Sequence, residues 1–523
     1  MALIYFDSNV CIGKHGPKDS REIWKSDDIL ASMDRAGISG ALVYSGLAKD
    51  YAPAYGNAWL AEELAKYDRF YGCYTIAPGY TGSFLLPSEI LDDMRQKRMV
   101  AVKIFPASHI FSPCEDVMGE YYAVLEDNSV PLLIDKPQID WQDLSELLSN
   151  HPKLNVLLQS ASWTDFHNLA ALMKKYKNLY TDLSHMQSNY AVEIITEKFG
   201  ADRICVGSGL PQKCPGAARA FVDYAQISNE EKQLIAGGNL ARLCGIALPA
   251  PVAVKNDEIA LQASRGEPLN VPVFDSHAHF LEDGGNCGGG FAMVDLAHMS
   301  YLSELMGVDA YCVAPWLGIW TDCEEGNRIV SDMAKRDSRV YPYVLINPAY
   351  GTDVAKEAFH YHIEEKMPAF KMFYSRSGIR YNDPIFDPWY KIANEKRLFA
   401  LMDSGGYPTY LSDMAEVAEK YPEITFFLDH AGQSFHIAEA YAKLAKKHDN
   451  VYLQLTYTSV PEGVIEYLCA EGLAHKTLYG TDAPMRDPRP QLGWVAFANI
   501  SVAEKKLILG ENMQRIADRC FTK

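Results

Sequence analysis

The stretch VPVFDSHAHF (271–280) ends a β-branched, apolar run on two histidines two residues apart, and LIYFDSNVCI (3–12) repeats its pattern with both histidines missing. Residues i and i+2 of a strand point to one face, so His277 and His279 can close on one metal ion. Asn9 and Cys11 cannot do the same. The likeness extends along the chain. GNAWLAEELAKYDRFYGCYTIAPGY (56–80) reads against GNRIVSDMAKRDSRVYPYVLINPAY (326–350), AVKIF (101–105) against AFKMF (369–373), and LLID (132–135) against ALMD (400–403). NVLLQSA (155–161) pairs with TFFLDHA (425–431), and ISNEEKQLIAGGNLARL (227–243) with ISVAEKKLILGENMQRI (500–516). The offset moves only from 268 (371 minus 103) to 273 (512 minus 239), so the repeat unit is a whole domain.

Within each copy, short apolar runs alternate with amphipathic stretches. In the first copy the runs are GALVYSG, YGCYTIAP, MVAVKIFPAS, VPLLIDKP, LNVLLQSA, LYTDLS and ICVGSGLP, and NAWLAEELAKYD is one of the amphipathic stretches. This alternation is the pattern of βα units on a parallel sheet. Seven or eight such units in about 250 residues favour a closed barrel over an open doubly wound sheet, and no GxGxxG follows a first strand. The expectation is an α/β chain of two tandem (β/α)8 TIM-barrel domains, 1–247 and 272–523. Between them lies a linker, 248–271, rich in proline, glycine and charge. Chemistry should then sit at the C-terminal ends of the strands.

Composition narrows the function. Acids outnumber bases 67 to 49, a formal charge of −18, and no basic run occurs, so a nucleic-acid partner is not expected. No apolar run has the length of a membrane span and no secretory leader pattern opens the chain, so the reading is a cytoplasmic protein with no membrane partner. Eleven cysteines without CxxC spacing read as thiols of a reducing compartment.

The order FDSHAHF, FKMF, RYNDPIFDPWYKIANEKRLFALMDSGG, FFLDHAG, YGTDAP and a closing NMQRI resembles the amidohydrolase-related branch of the metal-dependent TIM-barrel hydrolases, which includes lactonases and nonoxidative decarboxylases. The resemblance covers the second half and, in degraded form, the first. It implies one divalent metal held by an HxH after strand 1, a histidine after strand 5, another after strand 6 and an aspartate after strand 8. By position these are His277 and His279, His430 and Asp482. The strand 5 position departs from the pattern and offers Asp403, whose carboxylate can also bind zinc.

The residues support the same chemistry on their own. A hydrolytic metal needs about three protein ligands and an open position for water. His277, His279 and Asp482 would supply the ligands, Asp482 doubling as general base, and His430 would polarise a carbonyl or protonate a leaving group. Zinc is the default ion for two histidines and an aspartate, with manganese and iron as alternatives. The HYH of 360–362 lies in a helical pattern, where i and i+2 diverge, and is set aside. GGNCGGG (284–290) lacks the lysine and hydroxyl of a phosphate loop and reads as a mobile connection.

Lys371 and Asp403 recur in the first copy as Lys103 and Asp135 with the same separation of 32 (135 minus 103, 403 minus 371), which favours an interior ion pair in each copy. Otherwise the first copy loses the metal groups, with Ser160 against His430 and Gly209 against Asp482. It is expected to be noncatalytic and to pack on the second barrel as a built-in partner. Around the second site, Trp316, Lys371, Tyr374, Arg376, Tyr457 and Arg486 are candidate contacts for a small, carboxylate-bearing substrate. Three readings stand: a metal-dependent hydrolase of a small lactone, ester or amide; a metal-dependent nonoxidative decarboxylase of a small aromatic or unsaturated acid; and a noncatalytic scaffold or binding protein. The sequence leaves the oligomeric state open, a homo-oligomer included.

Overall fold

The structure is a computed structural model, and it describes residues 3–16, 19–281 and 296–522. The division between its two compact units falls between Arg265 and Gly266. Each unit is an eight-stranded parallel sheet whose strands follow one another in chain order. In the first, β1 (Tyr5–Ile12), β2 (Ile38–Ser45), β3 (Phe70–Ile76), β4 (Met99–Ile104), β5 (Leu132–Asp135), β6 (Val156–Gln159), β7 (Leu179–Asp182) and β8 (Ile204–Cys205) are joined by helical crossovers. In the second, β9 (Phe274–Phe280), β10 (Ala310–Pro315), β11 (Val340–Val344), β12 (Ala369–Met372), β13 (Phe399–Met402), β14 (Thr425–Leu428), β15 (Val451–Leu455) and β16 (Thr477–Tyr479) repeat the plan. Both are (β/α)8 barrels.

The segment after the eighth strand closes each barrel on its first strand. The Asp482 amide donates to the His277 carbonyl at 2.6 Å and the His279 amide to the Ala483 carbonyl at 2.6 Å. In the first barrel the Gly209 amide donates to the Asn9 carbonyl at 3.0 Å and the Cys11 amide to the Leu210 carbonyl at 2.9 Å. The aspartate of each FDS motif staples this seam. Asp275 Oδ1 accepts from the His277 amide (2.9 Å) and the Thr481 amide (3.0 Å); Asp7 Oδ1 accepts from the Asn9 amide (3.0 Å) and the Ser208 amide (2.9 Å).

The copies agree down to single hydrogen bonds. Asn57 and Asn327 each clasp the following strand, the latter by donating to the Leu345 carbonyl at 2.8 Å and accepting its amide at 2.9 Å. The preceding glycines let the same helices pack on the short helix before them, since a Cβ on Gly326 would lie 2.6 Å from the Gly318 nitrogen. Ser228 with Glu231 and Ser501 with Glu504 form capping boxes on equivalent helices. Residues of the segment 248–265 pack on the first barrel: the Lys255 amide donates to the Asp34 carbonyl at 3.0 Å and the Val252 amide to Ser39 Oγ at 3.2 Å.

Inward side chains fill each barrel below its mouth. In the second they include Phe274, Tyr343, Phe399, Leu401, Phe427 and Leu478, all buried. The ten described cysteines are free thiols. Among the described residues no helix is long and apolar enough to cross a membrane. GGNCGGG (284–290) lies outside the described residues.

Candidate metal centre

Strand alternation turns His277 and His279 into the mouth of the second barrel, and both are buried. Asp482 reaches them from the turn after β16. Its Oδ1 is 2.9 Å from His279 Nε2 and 3.3 Å from His277 Nε2. Three ligand atoms thus converge within 4.8 Å of one another. Asp482 sits at φ 66° and His430 at φ 56°, a region costly for side-chain-bearing residues. The first barrel makes the same turns with Gly209 at 75° and Ser160 at 56°, so the bend belongs to the scaffold and the second copy fills it with a carboxylate and an imidazole.

The orientation of His277 follows from its neighbours. Gln454, in β15, donates its amide to the Ser276 carbonyl (3.0 Å) and Ser276 Oγ (2.9 Å), so its Oε1 is left facing His277 Nδ1 at 2.7 Å. His277 therefore carries its proton on Nδ1, and the Nε2 lone pair points into the site. Lys371 Nζ lies 2.6 Å from that same Nε2. Burial lowers the pKa of His277 and of His279 well below the ordinary value, with the Lys371 ammonium adding to the effect, so both rings are neutral and able to ligate. On the far side of Asp482, the buried Arg486 guanidinium contacts Oδ2 and also donates from Nε to Thr458 Oγ1 at 2.8 Å. Burial brings its pKa down to about 10.

The interior ion pair expected in both copies forms only in the first, where Lys103 Nζ lies 3.0 Å from Asp135 Oδ2. In the second, Lys371 turns to His277, and it makes no contact with Asp403 within 4 Å. The difference is physical: an imidazole lone pair is a strong acceptor in a dry site, whereas Asn9 offers only an amide oxygen, 3.3 Å from Lys103.

Asp403 and His430 do not join the trio. They form a second group with Asp429, again with ligand atoms within 4.8 Å. His430 Nδ1 donates to the Thr456 carbonyl at 2.8 Å, and its Nε2 lies 3.3 Å from Asp429 Oδ2. Burial raises the pKa of Asp403, with Asp429 pushing the same way, and burial raises Asp429 to about 6. Burial lowers both His430 and Lys371. Among the described residues both three-ligand groups belong to the second barrel.

The substrate candidates divide. Trp316 is buried edge-on to His279 with ring centroids 4.9 Å apart, and Tyr457 lies 5.4 Å from the His430 ring. Tyr374 stacks on Tyr407 at 4.0 Å, and the exposed Arg376 covers Trp320 at 3.5 Å. Lys371, Arg376, Asn347, Ser377, Cys323 and Phe373 line a narrow recess at the ends of β10 to β12, with a free volume of about 20 Å³, room for about one water. Arg489 is fully buried and engaged by Asp487 at 2.6 Å. The set-aside HYH is helical: His360 is exposed, while His362 is buried, with Trp389 Nε1 donating to its Nε2 at 2.7 Å.

Sequence reasoning missed Gln454, Asp429 and Thr456. Gln454 is a polar residue inside the apolar strand VYLQL, and Asp429 adjoins His430 in LDHAG; those were the available signals.

The profile of the amidohydrolase family matches residues 23–246 and again 274–516, and the chain belongs to that family, an enzyme family present here as a tandem duplication. No curated protein sequence matches significantly. Among solved structures, similar ones include 5-carboxyvanillate decarboxylase from Sphingomonas paucimobilis (16% identity, 47% of this chain and 100% of that one, TM-score 0.38). Another is a dihydroxybenzoic acid decarboxylase from Polaromonas sp. JS666 with bound manganese and 2-nitroresorcinol (15%, 46% and 97%, TM-score 0.37). A third is an amidohydrolase from Burkholderia multivorans with bound HEPES (14%, 47% and 100%, TM-score 0.38).

Proposed function

We propose that the second barrel is a metal-dependent hydrolase acting on a small, carboxylate-bearing lactone, ester or amide. The observation that carries this reading is the convergence of two neutral imidazoles and one carboxylate oxygen, with the tautomer of His277 set by Gln454. Two Nε2 atoms and Oδ1 of Asp482 fit a divalent ion, zinc being the default and manganese or iron the alternatives. When bound, such an ion acidifies water and polarises a carbonyl.

The protein's own groups then divide the work. Both oxygens of Asp482 are engaged, one by the imidazoles and the other by Arg486, so its first duty is ligation. His430 is neutral, one-fifth exposed, and presents an unprotonated Nε2, which suits it to take a proton from water and return it to a leaving group. The narrow recess beside Lys371 would have to widen to admit the substrate, with Arg376 for a carboxylate and Asn347 and Ser377 for other polar groups. In the first barrel a closed network of Asn9, Lys103, Asp135, Ser160 and Asp182 supports a noncatalytic role.

One observation favours nonoxidative decarboxylation as a second reading: two cations, Lys371 and Arg486, flank the trio where a substrate carboxylate would need them. The test is metal analysis of the full chain beside His277→Ala and Asp482→Asn, followed by turnover on lactone, ester and aryl-acid panels. About one divalent ion lost in both variants, with water incorporated into product, is expected. Release of CO2 selects the second reading, and a metal-free, inactive wild type selects the scaffold.

A further inference from the structure

At the N-terminal end of its strands, away from the barrel mouth, the first barrel carries charge where the second is apolar. Val273, Leu492 and Ala496 are fully buried in the second copy, and the offsets of 268 (273 minus 5) and 273 (492 minus 219, 496 minus 223) set Tyr5, Arg219 and Asp223 against them. These three are buried too, and they form one cluster. Asp223 accepts from the Tyr5 hydroxyl at 2.7 Å and from Arg219 Nε at 2.9 Å, and the Arg219 guanidinium lies over the Tyr5 ring at 3.9 Å. A lysine nearby is common to both copies: Lys232 Nζ donates to the Asp223 carbonyl at 2.7 Å as Lys505 Nζ does to the Ala496 carbonyl at 2.6 Å. The scaffold therefore needs the lysine, and the Tyr5, Arg219 and Asp223 cluster is the first copy's own.

Exchanging packed apolar side chains for a buried ion pair costs desolvation, and the apolar set holds the same place at least as well. The first copy has a cavity here. It measures about 490 Å³, the size of a small-molecule site, and every residue lining it belongs to the first compact unit. Leu3, just ahead of β1, puts it at the foot of the barrel, and residues of the segment 252–265 wall its outer side. Arg219, Lys232 and Arg265 against Asp223 give the wall a net charge of +2 (three minus one) in a chain whose formal charge is −18. Both Asp223 oxygens are already engaged by Tyr5 and Arg219, so the wall offers a solute positive charge. Leu3, Val252, Val254 and Leu261 add an aliphatic face beside it.

We propose that this cavity is a binding site for a small organic anion, a carboxylate or a phosphate ester, whose charged head meets Arg219, Lys232 and Arg265 and whose carbon skeleton lies on Leu3, Val252, Val254 and Leu261. Guanidinium and ammonium groups recognise either head, and the aliphatic wall excludes a bare inorganic ion as the preferred ligand. The site is separate from the metal centre and does not depend on what that centre catalyses.

The test is calorimetric titration of the full chain with hexanoate, phenyl phosphate and inorganic phosphate, with folding checked by circular dichroism and melting. Wild type should bind hexanoate or phenyl phosphate, the tighter of the two naming the head group. The triple variant Tyr5→Val/Arg219→Leu/Asp223→Ala copies what the second barrel carries and should weaken that binding about tenfold or more. Arg265→Glu reverses one charge at an exposed position, leaves the buried cluster intact and should weaken it as well. His277→Ala/His279→Ala should bind as wild type does. The proposal is overturned if wild type binds neither organic anion, if inorganic phosphate binds as tightly as both, or if the folded triple variant keeps wild-type affinity. Should the triple variant not fold, unchanged binding by Arg265→Glu overturns it. Binding lost only in His277→Ala/His279→Ala would place the anion at the metal centre and overturn it while leaving the proposed function intact.

Discussion

Replacing Gln454 by leucine tests whether the protein prepares His277 for a metal. The substitution removes the Oε1 that accepts the Nδ1 proton at 2.7 Å, together with the two donations that lock Gln454 to Ser276. The ring then has no acceptor to hold its tautomer, and the Nε2 lone pair is no longer aimed by default into the site. Loss of such an outer partner lowers metal affinity roughly 10- to 100-fold, or about 1.4–2.7 kcal/mol. Gln454→Glu keeps an acceptor, and the first barrel carries Asp182 at this position, where it accepts from Asn9 Nδ2 at 3.1 Å. Affinity in that variant should stay within about threefold of wild type by the same scale. Titration against a chromophoric chelator, on protein shown to be folded, reads both numbers. A Gln454→Leu protein that binds as tightly as wild type would refute the argument that this hydrogen bond prepares the site.

Other expectations follow from single contacts. His362 accepts from Trp389 and donates to the Met367 carbonyl, and burial holds its pKa down at about 4 against an ordinary 6.5. The unfolded chain takes up the proton first, so this contribution is complete above about pH 6.5 and fades as pH falls toward 4, by about 3 kcal/mol in all. In denaturant titrations across that window the His362→Gln variant should lose the slope; equal slopes would count against the assignment. Lys103→Met leaves the half-buried Asp135 without its cation, though still with the Ser160 hydroxyl, and should destabilise the chain by about 1–3 kcal/mol, with metal content unchanged; a drop in bound metal would contradict a purely structural first site. Asn512→Ala strips donors from the Ala474 and Thr477 carbonyls, each at 2.8 Å, and should cost about 2–3 kcal/mol in thermal unfolding. An unchanged melting temperature would show that water replaces the lost amide.

The duplication, the barrels and the trio were legible in the chain because each rests on local spacing. Period-2 alternation sends His277 and His279 to one face, βα alternation closes a barrel, and a nearly constant offset aligns two copies. The replacement of those groups in the first copy could be read as well, from Asn9, Cys11, Ser160 and Gly209. What the sequence could not decide is which atoms meet across the barrel mouth. Lys371 and Asp403 keep the separation of Lys103 and Asp135, yet Lys371 turns to His277, because the choice depends on which acceptor in a buried space is strongest. Likewise Asp403 stands with Asp429 and His430 rather than with the trio, and Gln454 orients His277 from 177 residues away. Strand spacing fixes the direction of a side chain; burial, competing charges and contacts between distant strands choose its partner, and those exist only once the barrel has closed.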